Sequence, residues 1–363
     1  MNRPTEASKV GSMALHASGG NGARQAGPVA AERVAVIRAL PGLGDFLCAV
    51  PAWRALRAAF PRARIALVGL PTARELVIRF GRYLDDYLPF PGFPGINDAP
   101  LQVHEFPAFL ARVQARPFDL VVQMHGNGST SNAFAMLLAG RTTAGFYVPG
   151  NYCPDPARFL AYPEDVPEVW RHLRLLEFLG IPLQGSALEF PIESADEAEL
   201  EDLMQRHHLR PGGYVCVHPG ASQLERRWPA AQFAAVADGL CRLGFQVVLT
   251  GTAGESALTA AVASQMEQTP VDLAGETSLG AVAALLRDAR LLVANDTGVS
   301  HMAAAVRAPS LVLFIASDPA RWAPLDNERH LVRDGRAGGL AAGDVLADAT
   351  ALLARTAPEA IYA

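Results

Sequence analysis

The chain has 363 residues, of which 50% are hydrophobic and 18% are charged, and its formal net charge is -5. This balance is typical of a globular protein with sizeable cores, and a chain of this length predicts about two domains. The net negative charge does not favour a nucleic-acid partner, because nucleic-acid-binding domains are usually basic.

The first 31 residues are rich in Ala, Gly and Ser and lack the continuous apolar stretch of a signal peptide. We predict that residues 1–31 form a disordered extension and that the folded part begins near Glu32. The longest apolar runs, such as residues 310–316, reach about eight residues, whereas a membrane-spanning helix needs ~20. These features predict a cytoplasmic protein.

The four cysteines are scattered through the chain, at Cys48, Cys153, Cys216 and Cys241. They form no CxxC pair and no Cys/His cluster at zinc spacing. We predict free thiols, buried in the protein, in a reducing compartment.

Strand and helix patterns alternate in the first half of the chain. Strands are predicted at residues 33–38, 64–69 and 118–123, with one helix after a glycine-bearing turn at 40–45 and a second helical pattern at 73–80. The first helical pattern has apolar residues spaced by three or four, namely Phe46, Val50, Trp53, Leu56 and Phe60. This alternation predicts a parallel, doubly wound sheet.

The same alternation restarts after a Pro- and Gly-containing stretch at residues 180–191. A predicted helix at 171–180 leads into that stretch. After it, strands are predicted at 214–217, 245–250, 291–294 and 310–315, and helices at 229–243, 279–287 and 298–306. We therefore predict an N-terminal domain at 32–185 and a C-terminal domain at 186–341, both Rossmann-like. Residues 342–363 include an amphipathic helix that could cross back to the first domain.

The most informative polar segment is residues 295–301, which follows a predicted strand and opens a helix. Backbone N–H groups and the positive end of the helix dipole at Thr297 and Gly298 suit an anion such as a diphosphate. The simpler alternatives are that Asp296 or Thr297 is an ordinary N-cap and that His301 is a core histidine.

Two further segments follow strands of the second domain. After the strand at 214–217, Ser222 and Arg226 offer a hydroxyl and a charge that suits phosphate oxygens. After the strand at 245–250, Glu255 lies where a carboxylate holds ribose hydroxyls in related folds. The alternatives are that Arg226 is one of a solvated pair with Arg227, and that Glu255 only favours a helix dipole.

In the first domain, Asp45 follows a glycine-bearing turn at the start of a helix. A carboxylate facing the cleft there can remove a proton from an acceptor hydroxyl. An ordinary first-turn aspartate is the alternative. Gly42 and Gly44 are not a dinucleotide fingerprint, because no third glycine follows at the required spacing.

Taken together, these segments resemble glycosyltransferase family 9, the ADP-heptose:lipopolysaccharide heptosyltransferases. Five landmarks occur in the order found in that family, at residues 40–57, 218–229, 272–279, 295–301 and 317–319. The resemblance implies a GT-B fold, with the acceptor held by the N-terminal domain and the nucleotide sugar by the C-terminal one. It also implies inversion at the anomeric carbon.

Carried over by position, the resemblance makes Asp45 the general base. The donor site would be lined by Ser222, Arg226, Glu255, Asp296, Thr297, Gly298 and His301. No DxD motif appears near a plausible site, which predicts a reaction without a metal ion and without a cofactor. The sequence departs from the family at Arg226, where lysine is common, and at Ala221, where some members have a hydroxyl residue.

The predicted partners are a nucleotide sugar, with ADP-heptose as the donor, and a glycolipid or glycan acceptor. Residues 89–106 have the composition of a variable acceptor loop and include Asp98, His104 and Glu105. Seven arginines between residues 54 and 82 suggest a basic face that contacts the inner surface of the cytoplasmic membrane. An ordinary solvated face is the equal alternative.

Rival interpretations remain within and outside this function. A family member with another nucleotide sugar, or with a protein or exopolysaccharide acceptor, has the same landmarks. A nucleotide-sugar epimerase shares the fold, but it needs further acid and base groups in the cleft. A non-catalytic nucleotide-sugar-binding protein is the third possibility, since fold does not fix function.

Overall fold

The computed structural model describes residues 30–356. The predicted extension at residues 1–31 lies outside the described residues, apart from Ala30 and Ala31, and so do residues 357–363. The first strand begins at Arg33, next to the start predicted near Glu32.

The first half of the described chain is built around a six-stranded sheet. Its strands are β1 (Arg33–Ile37), β2 (Arg64–Gly69), β3 (Asp86–Pro89), β4 (Leu120–Gln123), β5 (Thr142–Tyr147) and β6 (Phe159–Ala161). Its helices are α1 (Leu43–Ala59), α2 (Ala73–Arg79), α3 (Phe106–Ala115), α4 (Ser131–Leu137) and α5 (Glu168–Phe178).

Helices cover both faces of this sheet because the strand side chains alternate in direction. Val34 and Val36 of β1 pack in the same core as α1, α2 and α5. Ala35 and Ile37 point the other way, into a core shared with α3 and α4. A strand buried on both faces needs apolar residues at every position, which explains the unbroken apolar run in β1.

The second half repeats this plan. Its strands are β7 (Tyr214–His218), β8 (Gln246–Leu249), β9 (Val271–Asp272), β10 (Leu292–Asn295), β11 (Ser310–Phe314) and β12 (His330–Asp334). Its helices are α6 (Ser194–His207), α7 (Ala230–Arg242), α8 (Ser256–Ala263), α9 (Leu279–Asp288), α10 (Gly298–Ala305), α11 (Pro319–Trp322) and α12 (Ala342–Arg355).

The two sheets have the same connectivity. The strand order is β3-β2-β1-β4-β5-β6 in the first sheet and β12-β11-β10-β7-β8-β9 in the second, and all the registered pairs are parallel. The order reverses between β1 and β4 and between β7 and β10, which is where ligands bind in doubly wound sheets. The predicted α/β class, with two doubly wound parallel sheets, is therefore confirmed.

The last described helix, α12, packs against the second sheet's layer and not against the first domain. Val345, Ala349 and Leu352 of α12 are fully buried in the core that contains α7. The interpretation in which this helix crosses back to the first domain is therefore wrong. The apolar face was recognised, but it packs on α7, β11 and β12 of the second domain.

The N-terminal ends of α1 and α10 meet where the two sheets face each other. A Cβ atom on Gly44 of α1 would lie 2.6 Å from the ring Cδ2 of His301 in α10. Likewise, a Cβ atom on Gly298 would lie 2.8 Å from the Cβ of Leu43. The absence of side chains on these glycines lets the two helix starts approach closely. The domain boundary predicted at residue 185 lies in the segment between the end of α5 and the start of α6.

Candidate active site

Asp45 lies in the first turn of α1, with its side chain 25% exposed. The helix begins at Leu43, directly after Gly42, whose backbone is extended. The residue before Asp45, Gly44, lies against His301 of α10. The sequence predicted Asp45 at the mouth of the cleft, opposite the polar groups of the second domain.

Arg38 follows β1 and holds Asp45 in place. Its Nε donates to the backbone oxygen of Asp45 at 2.8 Å, and its Nη1 donates to the oxygen of Met124 at 2.9 Å. Its Nη2 lies 3.5 Å from the Asp45 carboxylate and 3.2 Å from that of Glu168. Arg38 therefore links the ends of β1 and β4 to the first turn of α1.

Burial raises the pKa of Asp45 above that of an ordinary aspartate, and the nearby charge of Glu168 raises the pKa further. The charges of Arg38 and Arg321 oppose this effect without cancelling it. A carboxylate with a raised pKa is a stronger base than one in water, which suits proton removal from a hydroxyl group.

His301 is buried between the two domains. Its Nδ1 is 3.6 Å from the Sγ of Cys48, and its Nε2 is 3.9 Å from the Oδ1 of Asp296. Burial lowers the pKa of His301, although the charges of Asp296 and Asp45 oppose the shift. The imidazole is therefore neutral at physiological pH and acts as a hydrogen-bonding group.

The start of α10 exposes backbone donors to the cleft. Thr297 is the N-cap residue, and its side chain makes no capping hydrogen bond, which contradicts the simple N-cap alternative for this residue. The adjacent Asp296 is buried and accepts a hydrogen bond from Ser317. The N–H groups of the first turn carry partial positive charge and suit an anionic group.

In the segment after β7, the adjacent residues Arg226 and Arg227 make different contacts. Arg227 donates from Nε and Nη2 to the oxygen of Ala221 at 2.9 and 2.8 Å and so shapes the loop that carries Ser222. Arg226 ends a single 3-10 turn, and within residues 30–356 its guanidinium has no ion-pair or hydrogen-bond partner. The two arginines are therefore not an equivalent solvated pair.

Glu255 lies in a short 3-10 turn after β8. Its Oε2 accepts hydrogen bonds from the N–H and the hydroxyl of Thr252 at 2.8 and 2.9 Å. Its other carboxylate oxygen lies against Gly220, where any side chain would collide with it. The two strand ends are thus in contact, and one oxygen of Glu255 stays available for a ligand.

Asn295 at the end of β10 fixes the loop after β7. Its side chain accepts from the N–H of Trp228 at 3.0 Å and donates to the oxygen of Pro219 at 2.8 Å. The adjacent strands β8, β7 and β10 therefore present Glu255, the Ser222–Arg226 loop and the start of α10 side by side. This is the arrangement that the sequence predicted for a donor site, although the roles of these residues stay predictions.

Three charged residues near Asp45 were not assigned from the sequence. Arg38 had a signal, because a charged residue ended an otherwise apolar strand. Glu168 was overlooked because the helix was predicted to start at residue 171, whereas it begins after Pro167. Arg321 follows the landmark at residues 317–319 and reaches the first domain only through the tertiary fold.

One residue of the predicted acceptor loop, Asp98, contacts the segment that follows β4. Asp98 Oδ2 lies 3.5 Å from Nε2 of His125, and Nδ1 of His125 accepts from the N–H of Ala39 at 3.2 Å. Burial lowers the pKa of His125 to about 4, so its ring is neutral and Nε2 carries the hydrogen that faces Asp98. His104 and Glu105 are instead exposed near the start of α3.

Most of the arginines predicted to form a basic face are paired with carboxylates. The pairs are Arg54–Glu189, Arg57–Asp85, Arg64–Asp86, Arg79–Asp196 and Arg82–Glu189. Pairing reduces the free positive charge available to an anionic surface, which favours the alternative of a solvated face. Contact with a membrane surface stays a prediction.

Residues 30–356 contain no group of three or more His, Cys, Asp or Glu side chains placed to hold a metal ion. No helix among them is long and apolar enough to cross a membrane. All four cysteines are free thiols, but only Cys48 and Cys216 are buried, since Cys153 and Cys241 are partly exposed.

The sequence profile of glycosyltransferase family 9 (heptosyltransferase) matches residues 108–338, more than half of the chain. The chain belongs to this family. Lipopolysaccharide heptosyltransferase 3 of Escherichia coli is 36% identical over 117 residues, covering 31% of this chain and 34% of that protein. Lipopolysaccharide heptosyltransferase 1 of Pseudomonas aeruginosa is 30% identical over 219 residues, covering 59% of each chain. The chain thus matches between about a third and three fifths of the length of these relatives.

Solved structures of the family share the fold over nearly their whole length. The family 9 glycosyl transferase from Veillonella parvula aligns with a TM-score of 0.74 and 23% identity, covering 90% of this chain and 98% of that one. E. coli ADP-heptose lps heptosyltransferase II aligns with a TM-score of 0.67 and 21% identity, covering 89% and 99%. The GT-B fold expected from the sequence is therefore confirmed.

Proposed function

We propose that this protein is an inverting glycosyltransferase that moves a heptose from ADP-heptose to a hydroxyl group of a lipopolysaccharide-core or related glycan acceptor. The observation that supports this most strongly is the placement of Asp45. Its helix starts against the start of α10, so a carboxylate lies beside the backbone donors suited to a diphosphate. Family membership and the names of the relatives support heptose as the sugar.

The donor binds across the ends of β8, β7 and β10 in this proposal. Glu255 accepts hydrogen bonds from the ribose hydroxyls through the oxygen that Thr252 leaves available. Ser222 and Arg226 contact the diphosphate together with the N–H groups that follow Thr297. Asp296, Gly298 and His301 line the same end of the site, and the burial of Asp296 and His301 excludes water from one side of the sugar.

In this proposal the transfer of the heptose depends on Asp45 as the general base. Asp45 takes the proton of the acceptor hydroxyl as its oxygen bonds to the anomeric carbon on the face opposite the phosphate. The bond between the anomeric carbon and the phosphate oxygen breaks, its electron pair leaves with ADP, and the configuration inverts. Arg226 and the start of α10 stabilise the departing negative charge, the role that a metal ion fills in other transferases.

The acceptor binds on the first domain in this proposal, near the pair of Asp98 and His125. A carboxylate and a neutral imidazole offer an acceptor and a donor of hydrogen bonds, which suits a polyhydroxylated sugar. A solved structure of E. coli heptosyltransferase WaaC contains ADP, so an ADP-linked sugar is the first donor to test.

A thermal-shift panel tests the donor. We expect ADP-heptose to raise the melting temperature, because a ligand at 100 times its Kd stabilises the native state by about 2.7 kcal/mol. UDP- and GDP-sugars should have smaller effects. A shift with one of these and none with ADP-heptose would contradict the proposed donor.

A transfer assay then tests the reaction. Purified protein, ADP-heptose and a lipopolysaccharide-core acceptor should yield ADP and a heptosylated product of inverted configuration, with EDTA present. Tight ADP-heptose binding without transfer to any core, protein or exopolysaccharide acceptor would instead support a non-catalytic binding protein. Loss of transfer in EDTA would contradict the metal-independent mechanism.

A further inference from the structure

Glu168 is a buried carboxylate at the boundary between the two domains, with its side chain 4% exposed. Its Oε1 lies 3.2 Å from Arg38, and its Oε2 lies 3.1 Å from Arg171 and 3.0 Å from Arg321. Arg38 and Arg171 belong to the same domain as Glu168. Arg321 comes from α11 of the other domain.

The residue next to Arg321 also crosses to the first domain. Trp322 packs against a small apolar core formed by Cys48, Val169 and Leu173, all from α1 and α5. Its ring faces His301 edge-on at 6.0 Å, and the guanidinium of Arg321 lies 4.6 Å from the centre of the same ring. The four-residue helix α11 therefore contacts the first domain through an ion pair and an aromatic ring.

We propose that Arg321 is an interdomain positioning residue, which through Glu168 holds the two domains in the orientation that places Asp45 beside the start of α10. The part of this proposal that concerns catalysis rests on the proposed function. The part that concerns domain orientation does not.

The contacts form one continuous path. Arg321 binds one oxygen of Glu168, the other oxygen binds Arg38, and Arg38 holds both the backbone and the carboxylate of Asp45. Burial alone would raise the pKa of Glu168, but the nearby His172, whose Nε2 lies 3.4 Å from Oε1, and the charges of Arg38 and Arg321 lower it. Glu168 is thus ionised and able to hold all of its partners.

The three arginines that bind Glu168 differ in how much of each side chain is exposed to solvent. The side chains of Arg38 and Arg171 are almost fully buried, whereas that of Arg321 is 36% exposed. Because Arg321 reaches water, it is able to leave Glu168 when the cleft opens, and Glu168 keeps two buried cations. Of the three arginines, Arg321 is therefore the one that separates from Glu168 most readily.

The orientation is tested with probes on the two partly exposed cysteines, Cys153 in the first domain and Cys241 in the second. Spin labels on these thiols report the interdomain distance by pulsed electron resonance in the full-length protein. We expect a narrow distribution for the wild type, a broader and longer one for Arg321→Gln, and an intermediate one for Arg321→Lys. Arg333→Gln is the matched control, since Arg333 is 44% exposed and pairs with Asp348 within its own domain.

Kinetics test the consequence for the reaction. We expect kcat for heptose transfer to fall at least tenfold in Arg321→Gln, on the order of the loss that misplaced catalytic groups cause, with the Kd for ADP-heptose within about twofold of wild type. Arg321→Lys should recover part of kcat, and Arg333→Gln should match the wild type in both measurements.

Two results would overturn the proposal. A distance distribution in Arg321→Gln identical to that of the wild type would show that Arg321 does not hold the domains. A raised Kd for ADP-heptose with an unchanged distance distribution would make Arg321 a substrate contact. An inactive wild type would overturn the proposed function alone, because the distance measurement still decides whether Arg321 orients the domains.

Discussion

Gly44 of α1 lies directly against His301 of α10, so close that a Cβ atom on Gly44 would be 2.6 Å from the imidazole ring. The residue after Gly44 is Asp45, and His301 is within the first turns of the helix that starts at Gly298. This contact therefore joins the proposed base to the proposed phosphate site. A methyl group added at Gly44 would therefore disturb both the proposed base and the proposed phosphate site.

Gly44→Ala should reduce both stability and transfer. The added methyl group must displace His301 or separate the two helix starts, and overpacking of this kind costs about 1–3 kcal/mol. Gly343→Ala is the matched control, because Gly343 is also the second residue of its helix and has open space around it. The control should gain roughly 0.5–1 kcal/mol from the helix preference of alanine. Urea denaturation measures both, and equal stabilities of the two variants would contradict this contact.

Asp45→Asn should abolish most transfer and leave donor binding intact. Loss of a general base lowers the rate by about 10²–10⁴-fold, whereas the ADP-heptose contacts lie on the other domain. Calorimetry measures the Kd and a product assay measures kcat. Asp344→Asn is the control, an exposed aspartate in the first turn of α12. Transfer at the wild-type rate by Asp45→Asn would exclude Asp45 as the base.

The same variant should be more stable than the wild type at neutral pH. Burial raises the native pKa of Asp45 above the ordinary value of 3.8, so the native state binds more protons than the unfolded state as pH rises from 3.8 to the raised pKa. The ionised side chain therefore costs stability above that window, and asparagine avoids the cost. We expect a higher urea midpoint for Asp45→Asn at pH 7, with the difference shrinking as pH falls towards 3.8. A lower midpoint at pH 7 would show that the charge is stabilising.

Substitution of Arg226 should affect donor binding, whereas substitution of Arg227 should affect stability. Arg226→Gln should weaken ADP-heptose binding by about 10- to 100-fold, since a charge-assisted hydrogen bond contributes roughly 1.5–3 kcal/mol, and should leave the melting temperature unchanged. Arg227→Gln removes two hydrogen bonds to Ala221 and should lower the melting temperature. If Arg226→Gln binds ADP-heptose as tightly as the wild type, Arg226 does not contact the diphosphate.

Three buried histidines should make stability depend on pH. Burial lowers the pKa values of His125, His172 and His330 from 6.5 to about 4. Between pH 6.5 and 4 the unfolded state therefore binds protons that the native state excludes, so stability falls as pH decreases through this window. Each histidine contributes about 3 kcal/mol to the loss. Urea midpoints measured from pH 7.5 to 4.5 should fall steeply, and His330→Gln should reduce the slope. A flat profile would contradict the burial of these rings.

The sequence predicted the interior strands well and missed the outer ones. Strands β1, β2, β7, β8, β10 and β11 lie within two residues of their predicted bounds, because each is a buried apolar run with turn residues after it. Strands β3, β5, β6, β9 and β12 were not predicted. They lie at or next to the sheet edges, where pairing is possible without an apolar pattern.

By itself, then, the sequence determined the class of fold, the family and the polar residues at the strand ends, because these depend on local periodicity and on short ordered motifs. Only the tertiary structure decided which residues surround Asp45. Arg38, Glu168 and Arg321 are separated by 130 and 153 residues and meet through the packing of three elements. No periodicity encodes such a meeting, since it depends on how two separately folded sheets face each other. The same reason explains why α12 was recognised as amphipathic but assigned to the wrong domain.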